Sequence, residues 1–347
     1  MSLKFSCWRV AVTLLVLVFA LSSCSSPPGE GKPIDELHPV FYRNSVMWAL
    51  DVHSTLLRSS DNGRHFMRVM PRALEDKPIL TSFVRNEKEA WLIDLSGDMY
   101  QTSNGGAKWM KRTSLSFGDE LNPSINLFFL DHFNGWMVRD ETLYRTWNGG
   151  KKWAQVNTNE TMRFVRDLQF GNEEKGWLSK EEGIFQTEDG GETWEKLKAA
   201  DPGSVMEKAI FYDEHAGTLQ KQRLGGGQSL DITSDGGRTW RPLPSLSSDP
   251  SEEIAAIGRF FLVGSDSEFV MGYSYGDTIS EVYFTRDQGQ KWVPLDSKLF
   301  ANTYDFSIND EFLVILSKGE SGMLMRSYPL DDENAKWIKY RPVLVER

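Results

Sequence analysis

The chain has 347 residues, 40% of them hydrophobic and 25% charged, and a formal net charge of −10 at neutral pH. So acidic a balance speaks against nucleic acid as a partner, because phosphate binding needs a concentrated basic surface. Both cysteines, Cys7 and Cys24, precede residue 25, which excludes disulfides, thiolate zinc and a cysteine nucleophile from everything after them; a chain of this length can bury a core without such staples.

Residues 1–23 read as an address label. Lys4 and Arg9 give a positive start, and Val10–Leu21 is an apolar run too short to cross ~30 Å of hydrocarbon but normal for a secretory signal. The run closes as Leu21-Ser22-Ser23-Cys24, which resembles the lipobox of bacterial lipoproteins. That resemblance implies cleavage before Cys24 and a diacylglyceryl group on its sulfur, palmitate among its acyl chains. At ~0.8 kcal/mol per buried methylene, two or three such chains hold a protein on a membrane. Ser25 follows in place of Asp, which by the family's sorting rule favours the outer membrane of a Gram-negative cell. The expected location is therefore the bacterial cell envelope, and residues 24–35, rich in Ser, Pro and Gly, are expected to form a lipidated flexible tether.

The rest of the chain repeats one eight-residue phrase. Thr233-Ser-Asp-Gly-Gly-Arg-Thr-Trp240 recurs as Thr187–Trp194, Thr146–Trp153 and Thr102–Trp109, and with one or two changes as Thr285–Trp292 and Ser59–Phe66. Asp61, Asn104, Asn148, Asp189, Asp235 and Asp287 hold the third position. Each can accept hydrogen bonds from backbone N–H groups a few residues on. Gly63, Gly106, Gly150, Gly191, Gly237 and Gly289 hold the fifth, where a positive φ would cost another residue roughly 1–2 kcal/mol. Phe66, Trp109, Trp153, Trp194, Trp240 and Trp292 close the phrase and open the next strand, each burying about 150–250 Å². Continuing the period reaches a worn seventh copy with Asp332 and Trp337, where Asn334 stands for the glycine. One acid per turn is too few ligands for calcium, so these residues read as structural, with neither metal nor cofactor.

A period near 45 residues with four strands per repeat signals a β-propeller. The third repeat shows the unit: Ile125–Phe129, Gly135–Arg139, Thr142–Thr146 and Trp153–Val156. The expected fold is all-β, a seven-bladed β-propeller of four-stranded antiparallel blades spanning 36–347. Either His38–Tyr42 supplies the inner strand of the first blade, or Pro342–Val345 reaches back to pair with it. The repeated phrase resembles the Asp-box, or BNR repeat, of sialidases and related propellers, where it marks the turn between the third and fourth strands.

If those turns share one face with the turns joining strands one and two, the opposite face carries the loops that bind. Its candidate segments include Pro71–Pro78, Arg112–Ser124, Lys198–Ser204, Arg223–Gln228, Pro244–Glu253, Ser274–Ser280 and Asp296–Thr303, with Asp119, Glu120, Asp201, Asp249 and Glu252 among their acids. Arg163 and Arg166, in an expected inner strand Thr161–Phe170, and Arg139, ending a second strand, form a candidate ligand face. Together they suit a carboxylate; pairing with neighbours such as Asp167 or Glu207 is the structural alternative.

Two functions follow from resemblance. Sialidase chemistry needs three arginines, a Tyr nucleophile with a Glu partner, and an Asp acid/base. The chain keeps Arg43 where an Arg-Ile-Pro motif belongs but lacks Ile-Pro, and it has more boxes than that family. His38, His53, His65, His132 and His215 form no ligand spacing. Many boxes, a seven-fold count and a lipid tether instead resemble the photosystem II assembly/stability factor family and its bacterial relatives. This implies a non-catalytic scaffold that holds a membrane-protein client. A glycan-binding propeller, with Tyr273, Tyr275 and Phe300 as candidate platforms, is a third possibility.

Overall fold

A computed structural model describes residues 32–74, 79–116, 125–223 and 228–242. Beyond these it describes the strands between 260 and 340, by backbone alone up to 312, and the segment to 345. The signal, Cys24 and the last two repeat turns (Asp287, Gly289, Trp292, Asp332, Trp337) lie outside the described residues, as do Asp119, Glu120, Asp249, Glu252 and Phe300. So do the side chains of Glu207, Tyr273 and Tyr275.

Among the described residues the strands form six four-stranded antiparallel sheets and one sheet of six strands. The third sheet pairs Ile125–Phe129, Gly135–Arg139, Thr142–Thr146 and Ala154–Gln155 in that order. The fourth pairs Val165–Phe170, Gly176–Lys180, Gly183–Thr187 and Glu195–Ala199. First strands of successive sheets pack on one another: Leu37–Arg43 on Ile79–Val84, then Ile125–Phe129, Val165–Phe170 and Ser204–Phe211. Thr303–Ile308 packs back on Leu37–Arg43, so the last sheet abuts the first.

The six-stranded sheet is that seam, and it uses both of the closures considered above. Leu37–Arg43 is its innermost strand, while Val343–Leu344 runs parallel to His65–Arg68 on its outer edge and Lys32–Pro33 pairs beyond. The expectation of four strands in every blade is thus corrected, because both chain ends add edge pairing here. The tether boundary shifts too. Residues 32–35 belong to the folded body: Ile34 is buried beside Leu37 and Met325, and its carbonyl accepts from Met323 N–H at 3.0 Å. Proline is tolerated in this position because an edge strand needs no second ladder donor.

The repeated turn is built from the same bonds each time. Thr146 Oγ1 donates to Asn148 Oδ1 (3.1 Å) and accepts from Gly150 N–H (3.0 Å), while Lys152 N–H donates to Asn148 Oδ1 (2.9 Å). Thr187, Asp189, Gly191 and Thr193 make the same three bonds at 2.8, 2.9 and 2.8 Å, and the turns at Asp61, Asn104 and Asp235 follow suit. Gly106 has φ +80°, and a Cβ there would lie 2.5 Å from Val69 Cβ of the preceding sheet. The turn is therefore closed to side chains both by conformation and by its neighbour. Its closing tryptophans, expected to open the fourth strand, stand one residue before it.

Sheets are locked pairwise by aromatic stacks. Trp91 stacks on Phe129 at 3.9 Å, Trp136 on Phe170 at 3.7 Å and Trp177 on Phe211 at 4.2 Å. Each joins the second strand of one sheet to the first strand of the next. Trp153, Trp194 and Trp240 meet those phenylalanines edge-on. The Trp136 and Trp177 indole N–H groups donate to the carbonyls of Gly190 and Gly236, both at 3.0 Å, in the next sheet's turn. Offset and T-shaped pairs add roughly 0.5–1.5 kcal/mol each beyond burial.

Candidate functional site

At the end of the ring opposite the repeated turns the side chains change from sheet to sheet. The third residue after Trp48, Trp91, Trp136, Trp177 and Thr218 is Asp51, Asp94, Arg139, Lys180 and Lys221 in turn. Asp51 and Asp94 cap their own hairpin turns, accepting from N–H groups of Thr55 (2.8 Å) and Asp98 (2.9 Å). In the third, fourth and fifth sheets the same place is cationic. Lys221 bonds Asp231 (2.6 Å) and Asp201 (3.0 Å); burial pulls its ammonium down, yet those two carboxylates hold it above its ordinary value.

Lys180 organises the connection that leads into its own sheet. Its side chain is 1% exposed and bonds Glu160 at 2.7 Å and the Thr161 carbonyl at 2.8 Å. Asn159 clasps the neighbouring turn, with Trp194 N–H donating to its Oδ1 at 2.9 Å and its own N–H donating to Glu192 O at 3.1 Å. Met162 is buried among Trp136, Leu143 and Leu178. Residues 159–162 are pinned from three sides, and the next two project.

Those two are Arg163 and Phe164. Phe164 is 56% exposed and has φ +54°, a region disfavoured for a bulky side chain by roughly 1–2 kcal/mol. The Arg163 guanidinium lies 4.7 Å from the Phe164 ring, and its Nε is 3.4 Å from Glu141. Strain of this kind persists only where the surroundings enforce it, and it concentrates at functional positions.

Arg163 therefore does not lie in the inner strand as expected, because that strand begins at Val165. Arg166 does lie in it, as the extra residue of a bulge, since Val165 opposes Lys180 and Asp167 opposes Ser179. The bulge recurs in other first strands, where Val40, Leu80, Val205 and Tyr304 take the same place. Bulges re-aim a side chain, and here the side chain is charged. Arg139 ends its strand 2.9 Å from Asp140 and 5.4 Å from the Tyr144 ring. Arg139 and Arg163 are matched by the Asp140–Glu141 hairpin turn, and Asp167 faces Lys208 at 3.6 Å. Arg43, at the far end of a first strand, does not join them into a three-arginine clamp.

Sequence reasoning found the arginines but missed Phe164 and Lys180. Lys180 was findable by reading one repeat position down the column of second strands; the Phe164 conformation was not.

At the other mouth of the ring a cavity of about 650 Å³ is walled by Phe83, Phe128, Asp167, Gln169 and Tyr212. Burial pushes the Asp167 carboxyl upward despite Lys208, and Gln169 donates to it at 2.8 Å. Its charge is thus internally matched. Among the described residues no three His, Cys, Asp or Glu side chains gather as a metal site.

No protein-family model matches this sequence, and no curated protein matches it. Solved structures do. YCF48 bound to D1 peptide aligns at 19% identity over 88% of this chain and 98% of its own, with a TM-score of 0.59. This chain is a β-propeller. YCF48 from Cyanidioschyzon merolae gives 17% identity, 86% and 96% coverage and a TM-score of 0.56. A GH74 xyloglucanase from Xanthomonas campestris gives 12% identity and a TM-score of 0.62, covering 91% of this propeller but 55% of the enzyme. At such identities the likeness establishes the fold alone.

Proposed function

We propose that the chain is an exported, lipid-anchored binding propeller that holds a protein segment of an envelope or membrane client, as an assembly factor does. Counting the six-stranded sheet as a blade gives seven, and the repeated turn is read as the Asp-box. Signal, lipidated Cys24 and tether are taken from the sequence. The observation that carries the reading is the projecting pair Arg163–Phe164, held in a strained conformation over a buried lysine. Arginine beside an exposed aromatic is the composition of binding hot spots, and preorganisation removes part of the ordering cost of association. Arg166 on its bulge and Arg139 extend the same face with cationic groups in an acidic protein. The likeness to a propeller described as bound to a peptide supports this reading.

The test is recovery of a partner by the mature protein from detergent-solubilised membranes, wild type against Arg163→Glu. A protein recovered by the wild type and reduced at least about tenfold by the substitution supports the proposal. Equal recovery removes this face from it. A second reading, glycoside hydrolysis or glycan binding, is favoured by the likeness to xyloglucanases, of whose length the chain spans about half. Turnover of xyloglucan or of a fluorogenic sialoside by the purified protein would put that reading first.

A further inference from the structure

The third sheet breaks the repeat at the Asp-box end as well, and does so with apolar groups. Phe133 and Trp147 are 58% and 53% exposed. Trp147 follows the capping threonine of its turn, where other turns carry Ser60, Ser103, Glu188 and Ser234. Phe133 lies in the facing hairpin turn, its carbonyl accepting from Gly149 N–H at 2.8 Å. The same bond in the neighbouring sheets is accepted by Lys88, Glu174 and His215. One sheet thus presents two large aromatics at two positions where its neighbours present polar side chains.

Trp147 is also held in place. The Arg145 guanidinium lies 4.9 Å from the Trp136 ring and 4.9 Å from the Trp147 ring. Trp136 in turn stacks on Phe170 at 3.7 Å. Phe170, Trp136, Arg145 and Trp147 form a ladder from the core to the surface whose last rung is open. Glu173 fixes the arginine at 2.9 Å, and a Cβ at Gly190 would lie 2.7 Å from Arg145 Nη1, so a side chain there would displace it.

The charge beside this pair is basic. The two free positions of the turn are Lys151 and Lys152, both exposed, against Arg64-His65, Ala107-Lys108, Glu192-Thr193 and Arg238-Thr239 in the other described turns. Asp131 is occupied by its own turn, accepting from Asn134 N–H at 2.7 Å, and Glu173 by Arg145. In a chain of net charge −10 no other described turn places two lysines there. An exposed Trp and Phe flanked by lysines is the composition of a surface that seats in the headgroup layer of an anionic bilayer.

We propose that Phe133, Trp147, Lys151 and Lys152 form a bilayer contact that orients the body on an anionic membrane. The proposal rests on the lipid-anchor reading: residues between Cys24 and Lys32 reach at most about 30 Å, so an anchored body stays within range of the surface. Two aromatics and two lysines bind weakly alone, but the anchor raises their effective concentration and makes weak contact sufficient. The charge favours lipid over an acidic protein segment only together with the tether, so a protein occupant is an outcome of the test.

The mature protein is reconstituted with phosphatidylcholine vesicles, with and without phosphatidylglycerol, and followed by flotation and amide hydrogen exchange. The expected result is exchange slowed about tenfold or more in 131–134 and 146–153 with phosphatidylglycerol, and unchanged in the matching turns 172–175 and 187–194. Phe133→Ser with Trp147→Ser should abolish the protection while leaving flotation and the thermal midpoint in place. Flotation without protection overturns the contact and leaves the tether standing; neither flotation nor protection overturns both. Protection by a soluble membrane-protein extract but not by vesicles overturns it in favour of protein docking.

Discussion

The two ends of the ring obey different rules. At the end that carries the repeated turn, five described turns repeat the same three hydrogen bonds, and a change in one sheet is visible against the others. At the opposite end, position after position differs: Asp51 caps its own turn where Lys180 pins a loop. Repetition marks what every sheet needs in order to lock to the next. Departure from it marks what one sheet does alone, and here the departures gather at the third and fourth sheets, at both ends.

The largest effect should come from breaking the shared machinery. Trp136→Ala removes a stacked ring and the bond to Gly190, and should cost about 3–5 kcal/mol in a denaturant titration. Trp147→Ala, one rung further out on the same ladder, should stay within about 0.5 kcal/mol. Equal costs would show that the ladder is structural throughout.

Next comes the lysine under the loop. Lys180→Met removes a buried cation bonded to Glu160 and Thr161, and should cost about 2–3 kcal/mol. Proteolytic cleavage should then appear within residues 159–164 before global unfolding. Wild-type protease resistance in that loop would mean Asn159 and Met162 hold it unaided. Within the repeated turns, Thr146→Val loses two hydrogen bonds and should cost about 1–2 kcal/mol, with similar values for Thr187→Val and Thr233→Val.

The smallest effect separates Asp turns from Asn turns. Partial burial pushes the Asp235 carboxyl up, but hydrogen bonds from Thr239, from backbone N–H groups and from Thr233 hold it down to about 2; Asp189 and Asp61 are lowered too. A folded value below the unfolded one stabilises above about pH 4 and is lost as pH falls toward 2. Asp235→Asn combined with Asp189→Asn should therefore lower stability at neutral pH by more than near pH 2, flattening the acid side of the pH–stability curve, while the Asn104 and Asn148 turns contribute no titration. An unchanged pH dependence would mean other carboxylates govern acid unfolding.

Much of the ring was legible because its causes are local. Thr146, Asn148, Gly150 and Trp153 are tied to one another within eight residues, so spacing alone located the turn, and the first three strands of the third sheet fell where alternation put them. The seam was less legible, since Lys32–Pro33 and Val343–Leu344 meet across the whole chain and nothing in either dipeptide names its partner. The candidate site was half legible. Arg139, Arg163 and Arg166 stood out as cations in an acidic chain, but the Asp140–Glu141 turn that partners Arg139 and Arg163 depends on the fold. The left-handed Phe164 depends on three anchors contributed by separate elements, and sequence carries no mark of it.

The most direct test of the central claim places a photoreactive side chain at position 164 of the full chain expressed in its own cells, with position 188 at the opposite end as the control. The account predicts a crosslinked protein partner at 164, weakened by Arg163→Glu at unchanged thermal stability, and a different product or none at 188. Partner capture at 188 with none at 164 would contradict it.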